Sequence, residues 1–207
     1  GTPSKCPIVE DCPQNPISPY GRSKLIVEWM LLDYHVKYQQ PYTILRYFNA
    51  AGCHPDGILG EQHDPEPHLI PRMIMAALKK EPIVINGKNY NTRDGTCIRD
   101  YVHVWDLAMA HVLAAENTQS RANICNLGLG RGFSILEIVQ NLENLLGYSL
   151  TIEWHPPRLG DPPELFADST KALKLLNWHP DYSSMEQILL TTLQWFEKQM
   201  LLPGSAI

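Results

Sequence analysis

The sequence predicts an α/β protein built on parallel strands, and three observations carry that expectation. First, a helical pattern over 18–39 is ended by Pro41 and followed at once by Tyr42-Thr43-Ile44-Leu45-Arg46-Tyr47, a short run rich in β-branched and aromatic residues. Helix, tight turn and strand make half of a βαβ unit, which needs a parallel partner. Second, further strand-like runs at 83–85, 98–104, 122–127 and 150–154 alternate with helical stretches. Third, 44% of the 207 residues are hydrophobic and 19% charged, so the chain can bury a substantial core.

Taken in order, residues 1–17 carry Pro3, Pro7, Pro13 and Pro16 and read as an extended loop. No strand precedes that loop, so the helix after it is expected to have nothing upstream to pack against. Ser18 suits an N-cap and Pro19 the first helical position. Leu25, Trp29, Leu32 and Val36 recur at helical spacing and form an apolar stripe, which is expected to stay exposed and to favour poor solubility or association. A long loop over 53–67 precedes a helix from His68 to Lys79, with Pro71 in its first turn. Asn86-Gly87 marks a turn after the strand at 83–85. Asp106 is the expected cap of the helix through Glu116, and Ser134-x-x-Glu137 has the form of a capping box. Helices over 170–176 and from the Ser183-x-x-Glu186 box to Met200 close the chain, the latter burying Leu189, Leu193 and Phe196. Residues 201–207 read as a tail.

Several function classes are excluded at this level. A net charge of -5 argues against nucleic acid or an anionic membrane as the main partner. No apolar run is long enough to span a bilayer, and no secretory signal is visible. The five cysteines are scattered without a C-x-x-C, which fits reduced thiols in a cytoplasmic protein. Histidine spacing offers no metal site, since His63 and His68 are five apart and off the helical register.

Proton chemistry is visible in Ser18-Pro19-Tyr20-Gly21-Arg22-Ser23-Lys24. Residues four apart share a helix face, so an ammonium at Lys24 can approach the phenol of Tyr20. Phenols ordinarily ionise near pH 10, and a neighbouring positive charge favours the phenolate. The pair is a candidate proton-transfer device, although such spacing also arises by chance. Asn49 lies just beyond a strand's carboxyl end, where parallel sheets bind ligands. Arg158 sits in a proline-stiffened loop that suits phosphate capture, or pairs with Asp161. The turn Gly128-Leu129-Gly130-Arg131-Gly132 follows a strand and precedes a helix, yet the third glycine of a dinucleotide fingerprint would fall on Phe133. It reads as a tight turn.

These motifs together resemble a known family. The Tyr20 heptapeptide with Leu45-Arg46-Tyr47-Phe48-Asn49-Ala50-Ala51-Gly52 is similar to the extended short-chain dehydrogenase/reductase superfamily. Gly60-Glu61, Pro65-Glu66-Pro67-His68-Leu69-Ile70-Pro71 and the run from Asp94-Gly95-Thr96 through Val104-Trp105-Asp106 resemble its UDP-glucose 4-epimerase family. The resemblance covers essentially the whole chain. It implies a partial Rossmann-type parallel sheet, over 1–56 and 99–128, with a smaller mixed α/β substrate-binding domain over 57–98 and 129–200.

The resemblance also implies roles. Tyr20 and Lys24 would be catalytic, and with Tyr47 would bind NAD. Tyr20 would take the proton from the sugar 4-hydroxyl while hydride leaves C4, and the keto sugar would turn before hydride returns. The UDP-sugar would meet Asn49, His68, Leu69, Val84, Asn86, Arg99, Arg158 and Asp161, with Leu165 at the sugar-pocket wall. Family members often pair through helices flanking the Tyr-Lys motif, so a homodimer is implied. The family's dinucleotide fingerprint and a catalytic Ser or Thr precede a Val-Tyr-Gly whose last residue aligns with Gly1; neither occurs in this sequence. The expectation is therefore a truncated form, inactive alone. Alternatives are an epimerase for another nucleotide sugar such as UDP-N-acetylglucosamine, a non-catalytic UDP-sugar-binding remnant, and a fragment active only with a complementing partner.

Overall fold

A computed structural model describes residues 1–117 and 122–201. The expected tail from 202 onward lies outside the described residues. Helix α1 (Pro19–Tyr38) starts as its sequence dictates: the Ser18 Oγ accepts from the Gly21 N–H, and Pro19 occupies the first turn. Gln39, in the left-handed region at φ 55°, ends it. Strand β1 (Tyr42–Tyr47) follows and pairs in parallel with β6 (Ala122–Leu127) over its full length, Tyr42 opposite Ala122 and Tyr47 opposite Leu127. A shorter parallel pair, β2 (Asn49–Ala51) with β5 (Tyr101–His103), continues from it.

The remaining strands form two small sheets. β3 (Ile83–Asn86) pairs in parallel with β8 (Ile152–His155). β4 (Ile98–Arg99) lies between antiparallel β7 (Phe133–Ser134) and parallel β9 (Glu164–Leu165). The run 98–104, expected as one strand, is thus broken at Asp100 into two pieces that belong to different sheets. Helices α2 (Leu69–Lys79), α4 (Ile135–Leu146) and α6 (Met185–Met200) pack on one another around Ile74, Ile138, Leu142, Ile188 and Leu189. A second apolar cluster joins β6, α3 (Val104–Glu116), α5 (Thr170–Leu176) and Trp178, around Val102, Leu127 and Ala172. No described helix is long and apolar enough to cross a membrane.

Local signals place most boundaries. The capping box forms as expected, with Ser134 Oγ accepting from Glu137 N–H and the Glu137 carboxylate from Ser134 N–H. Two caps differ. His103, not Asp106, caps α3, its Nδ1 accepting from Trp105 N–H at 3.0 Å. Asp106 instead reaches across the fold to the Tyr182 N–H and the Ser183 hydroxyl. Ser183 is thereby buried, and the next residue, Ser184, caps α6.

The apolar stripe of α1 lies largely open to solvent, as expected. Trp29, Leu32 and Val36 are 56%, 48% and 67% exposed. The helix instead turns Leu25, Glu28, Leu31 and His35 inward. Its apolar residues lie all round, so spacing alone cannot choose a face. The choice is made by Glu28, which accepts two hydrogen bonds from Arg46 of β1 at 2.7 and 2.6 Å. Arg46 also donates to the Glu10 carbonyl, and Gln14 to Glu28, so the opening loop is tied to both elements. The expectation that nothing upstream packs against α1 is corrected by these contacts.

Although burial opposes it, hydrogen bonds from Arg46 and Gln14 hold the Glu28 carboxyl below its usual range. Its stabilising contribution is therefore present above the ordinary carboxylate value and lost as pH falls through the lowered one. Glu28→Gln is expected to cost about 2 kcal/mol at neutral pH, given a pair only partly shielded from solvent. Urea denaturation checks this, and the difference from the parent should shrink on acidification.

Candidate active site

A cleft of about 450 Å³ opens between the end of β1, β2, the start of α2 and the loop after β8. Tyr20, Tyr47, Asn49, His68, Leu69, Val84, Asn86, Arg99, Arg158 and Asp161, far apart in sequence, all line it. Lys24 lies in an adjoining groove of about 580 Å³ between the opening loop, α1 and β1. Tyr20 and Tyr47 line both cavities. The Lys24 ammonium stands 5.2 Å from the centroid of the Tyr20 ring, as the four-residue spacing predicts. Leu165 is not among the cleft's lining residues; it lies in β9, opposite Arg99 in the ladder.

Each polar wall of the cleft has a structural cause. Asn49 donates from its backbone N–H and its Nδ2 to the same carbonyl, that of Asp100, at 3.0 and 2.8 Å. Arg99 donates to Asp161 Oδ1 at 2.5 Å and to the carbonyls of Ile98 and Pro163. Asp161 therefore pairs with Arg99 and not with Arg158, which forms no ion pair among the described residues. Arg72, on the first turn of α2, adds a third guanidinium that the motifs did not single out. Its position four residues after His68 was the available signal. Beneath these charges the floor is neutral: burial pushes the Tyr101 phenol and the Cys97 thiol up from their ordinary values. With Asp161 engaged by Arg99, and Glu61 by His68 at 2.7 Å, the cleft retains an excess of positive charge suited to a diphosphate.

Asp100 is the residue the sequence concealed. Fully buried, it receives the Leu129 N–H at 3.0 Å and the Ala167 N–H at 3.1 Å. Gly128 makes room for it, because a Cβ there would come within 2.4 Å of Asp100 Oδ2. The glycine turn after β6 thus serves internal packing. The Asp-Gly-Thr lead-in is likewise structural: Asp94 accepts from Thr96 and from Ser134, the cap of α4.

Two of the histidines that helical register keeps apart meet in space with two carboxylates. Glu61, His63, Glu66 and His68 bring a donor atom each to within 4.8 Å of one another. A loop carries them, so their approach does not follow helical register.

A family model described as the NAD dependent epimerase/dehydratase family matches residues 1–128, and the chain belongs to that family. Within it, the chain is 43% identical over 201 residues to a UDP-glucose 4-epimerase of Halalkalibacterium halodurans, covering 96% of this chain and 60% of that protein. The solved structure of UDP-glucose 4-epimerase from Brucella ovis in complex with NAD matches with TM-score 0.90 and 51% identity, over 95% of this chain and 61% of that one. UDP-glucose-4-epimerase from Stenotrophomonas maltophila, solved with bound NAD and formylated UDP-arabinopyranose, matches with TM-score 0.92 and 35% identity, over 97% and 61%. The chain spans about 60% of the length of the curated relatives it matches.

Burial pushes the Asp100 carboxyl from 3.8 up to about 6. A raised carboxyl favours the folded state fully below its unfolded value and loses that contribution as pH rises through the folded one. At about 1.4 kcal/mol per unit, the loss between pH ~4 and ~6 is about 3 kcal/mol. Thermal melts of the parent and Asp100→Asn across that window should show the parent's relative stability falling and the variant's profile flatter.

Proposed function

We propose that this chain carries the proton-transfer and nucleotide-sugar residues of an NAD-dependent enzyme that interconverts UDP-glucose and UDP-galactose by epimerisation at C4. The supporting observation is Tyr20, shared by two cavities, one rich in arginine and one holding Lys24. A group that exchanges a proton with a sugar beside a nicotinamide has to face both.

Residues able to hold the nicotinamide end are present: Tyr20, Tyr47 and Lys24 converge on the groove beside α1. NAD, when bound, supplies a reversible hydride acceptor. A glycine cradle for the pyrophosphate is absent among the described residues, since the turn at Gly128 is filled by Asp100. Tyr20 would remove the proton of the 4-hydroxyl and return it, with the Lys24 ammonium beside the ring. Arg99 and Arg158 would hold the diphosphate, with Arg99 aimed by Asp161. Affinity from that unreacting part orients the sugar at Tyr20. Val84 and Asn86 would flank the nucleoside, and His68 and Leu69 the hexose side, with Tyr47 and Asn49 between cofactor and diphosphate. Pairing of two copies through α1 belongs to the same reading, supported by its exposed Trp29, Met30 and Tyr34.

Calorimetric titration with UDP tests the diphosphate assignment: Arg158→Ala is expected to weaken binding about tenfold or more, the scale of one charge-assisted contact. Undiminished binding in Arg99→Ala and Arg158→Ala would remove the assignment. Tyr20→Phe should leave UDP affinity unchanged while, in the chain complemented by a partner that supplies the dinucleotide-binding part, lowering UDP-galactose formation by about 10²–10⁴-fold.

A further inference from the structure

The cluster at the rim of the cleft has a geometry that hydrogen bonding does not complete. His68 Nδ1 lies 2.7 Å from Glu61 Oε1 and 2.9 Å from Glu66 Oε1. His63 Nδ1 lies 3.2 Å from Glu61 Oε1 and 3.6 Å from Glu66 Oε2. Imidazole and carboxylate thus alternate around a common centre, with the two rings edge to face at 5.2 Å. The Glu66 side chain is only 3% exposed. Its Oε1 takes both the backbone N–H and the ring of His68, while Oε2 is buried with no hydrogen-bond partner. A buried carboxylate oxygen without a hydrogen bond is costly, and a cation on it removes the cost.

We propose that Glu61, His63, Glu66 and His68 bind one borderline divalent cation of the zinc class, which fastens the loop over 61–67 to the start of α2. Two imidazole nitrogens and two carboxylate oxygens are a donor set that zinc accepts, at about 2.0–2.2 Å each. Calcium and magnesium favour all-oxygen shells, so the two imidazoles select against them. Two carboxylates with two neutral imidazoles carry a charge that a divalent ion cancels. Glu61 and His68 also line the cleft, so the ion would stand at its rim and fix His68 there. The site stands on the loop's own geometry and does not depend on the proposed catalytic reading.

The test uses the full chain, stripped with a chelator and titrated calorimetrically with zinc chloride, with bound metal counted by elemental analysis. One zinc per chain is expected. Glu66→Gln and His63→Gln should each weaken binding at least about tenfold, whereas His179→Gln, at an exposed histidine elsewhere, should leave it unchanged. Cobalt(II) should give a visible ligand-field absorption that zinc abolishes and that Glu66→Gln diminishes. His63 is half exposed, so its variant keeps the test valid should Glu66→Gln disturb the loop. Failure to retain zinc, or equal zinc affinity in both variants, would overturn the site.

Discussion

A single buried carboxylate at the break between β4 and β5 holds the cleft together. Asp100 binds the N–H groups of Leu129 and Ala167 through its side chain, while its carbonyl receives both donors of Asn49. One residue thereby joins the turn after β6, the end of β9 and the cleft wall on β2. Its neighbour Arg99 lines the cleft, held there by Asp161. Charge burial here is unfavourable, but removing the side chain would orphan the buried Ala167 N–H and the partly buried Leu129 N–H, which is also costly. The interaction joins segments that belong to three separate sheets.

The second organising contact is Glu28 with Arg46. By turning a polar position of α1 inward, it fixes the rotation of that helix against β1. Tyr20 and Lys24 lie near the start of the same helix, so the rotation determines that Tyr20 stands between the arginine cleft and the Lys24 groove. The deep His103 plays a comparable part at the other end of β5. Burial pushes it down to about 4, so it stays neutral, accepting from Trp105 N–H and meeting the Thr191 hydroxyl at 3.0 Å. Gly52, at φ 82°, allows this approach, since a Cβ there would come within 2.6 Å of the ring.

Where information was local, the sequence carried it. β1, β6 and α5 have the bounds read from turn and propensity signals, and the Ser18 and Ser134 caps form as their chemistry requires. Where a choice depended on distant partners, it did not. The face of α1 was set by Arg46, the role of Asp106 by Ser183, and the cap of α6 by which of two adjacent serines was buried. The positions implied by family resemblance converge on one cleft except for Lys24 and Leu165. Asp100 escaped notice because it continues the strand's alternation, and the Glu61–His68 cluster because a loop, not a helical repeat, assembles it.

The proposed chemistry turns on the position of the Tyr20 hydroxyl between sugar and cofactor. A crystal structure with UDP-glucose and NAD would test it most directly. The sugar 4-hydroxyl is expected within about 2.6–3.2 Å of Tyr20 Oη, with the diphosphate on Arg99 and Arg158. A sugar bound with its 4-hydroxyl turned away from Tyr20, or a diphosphate held elsewhere, would contradict it.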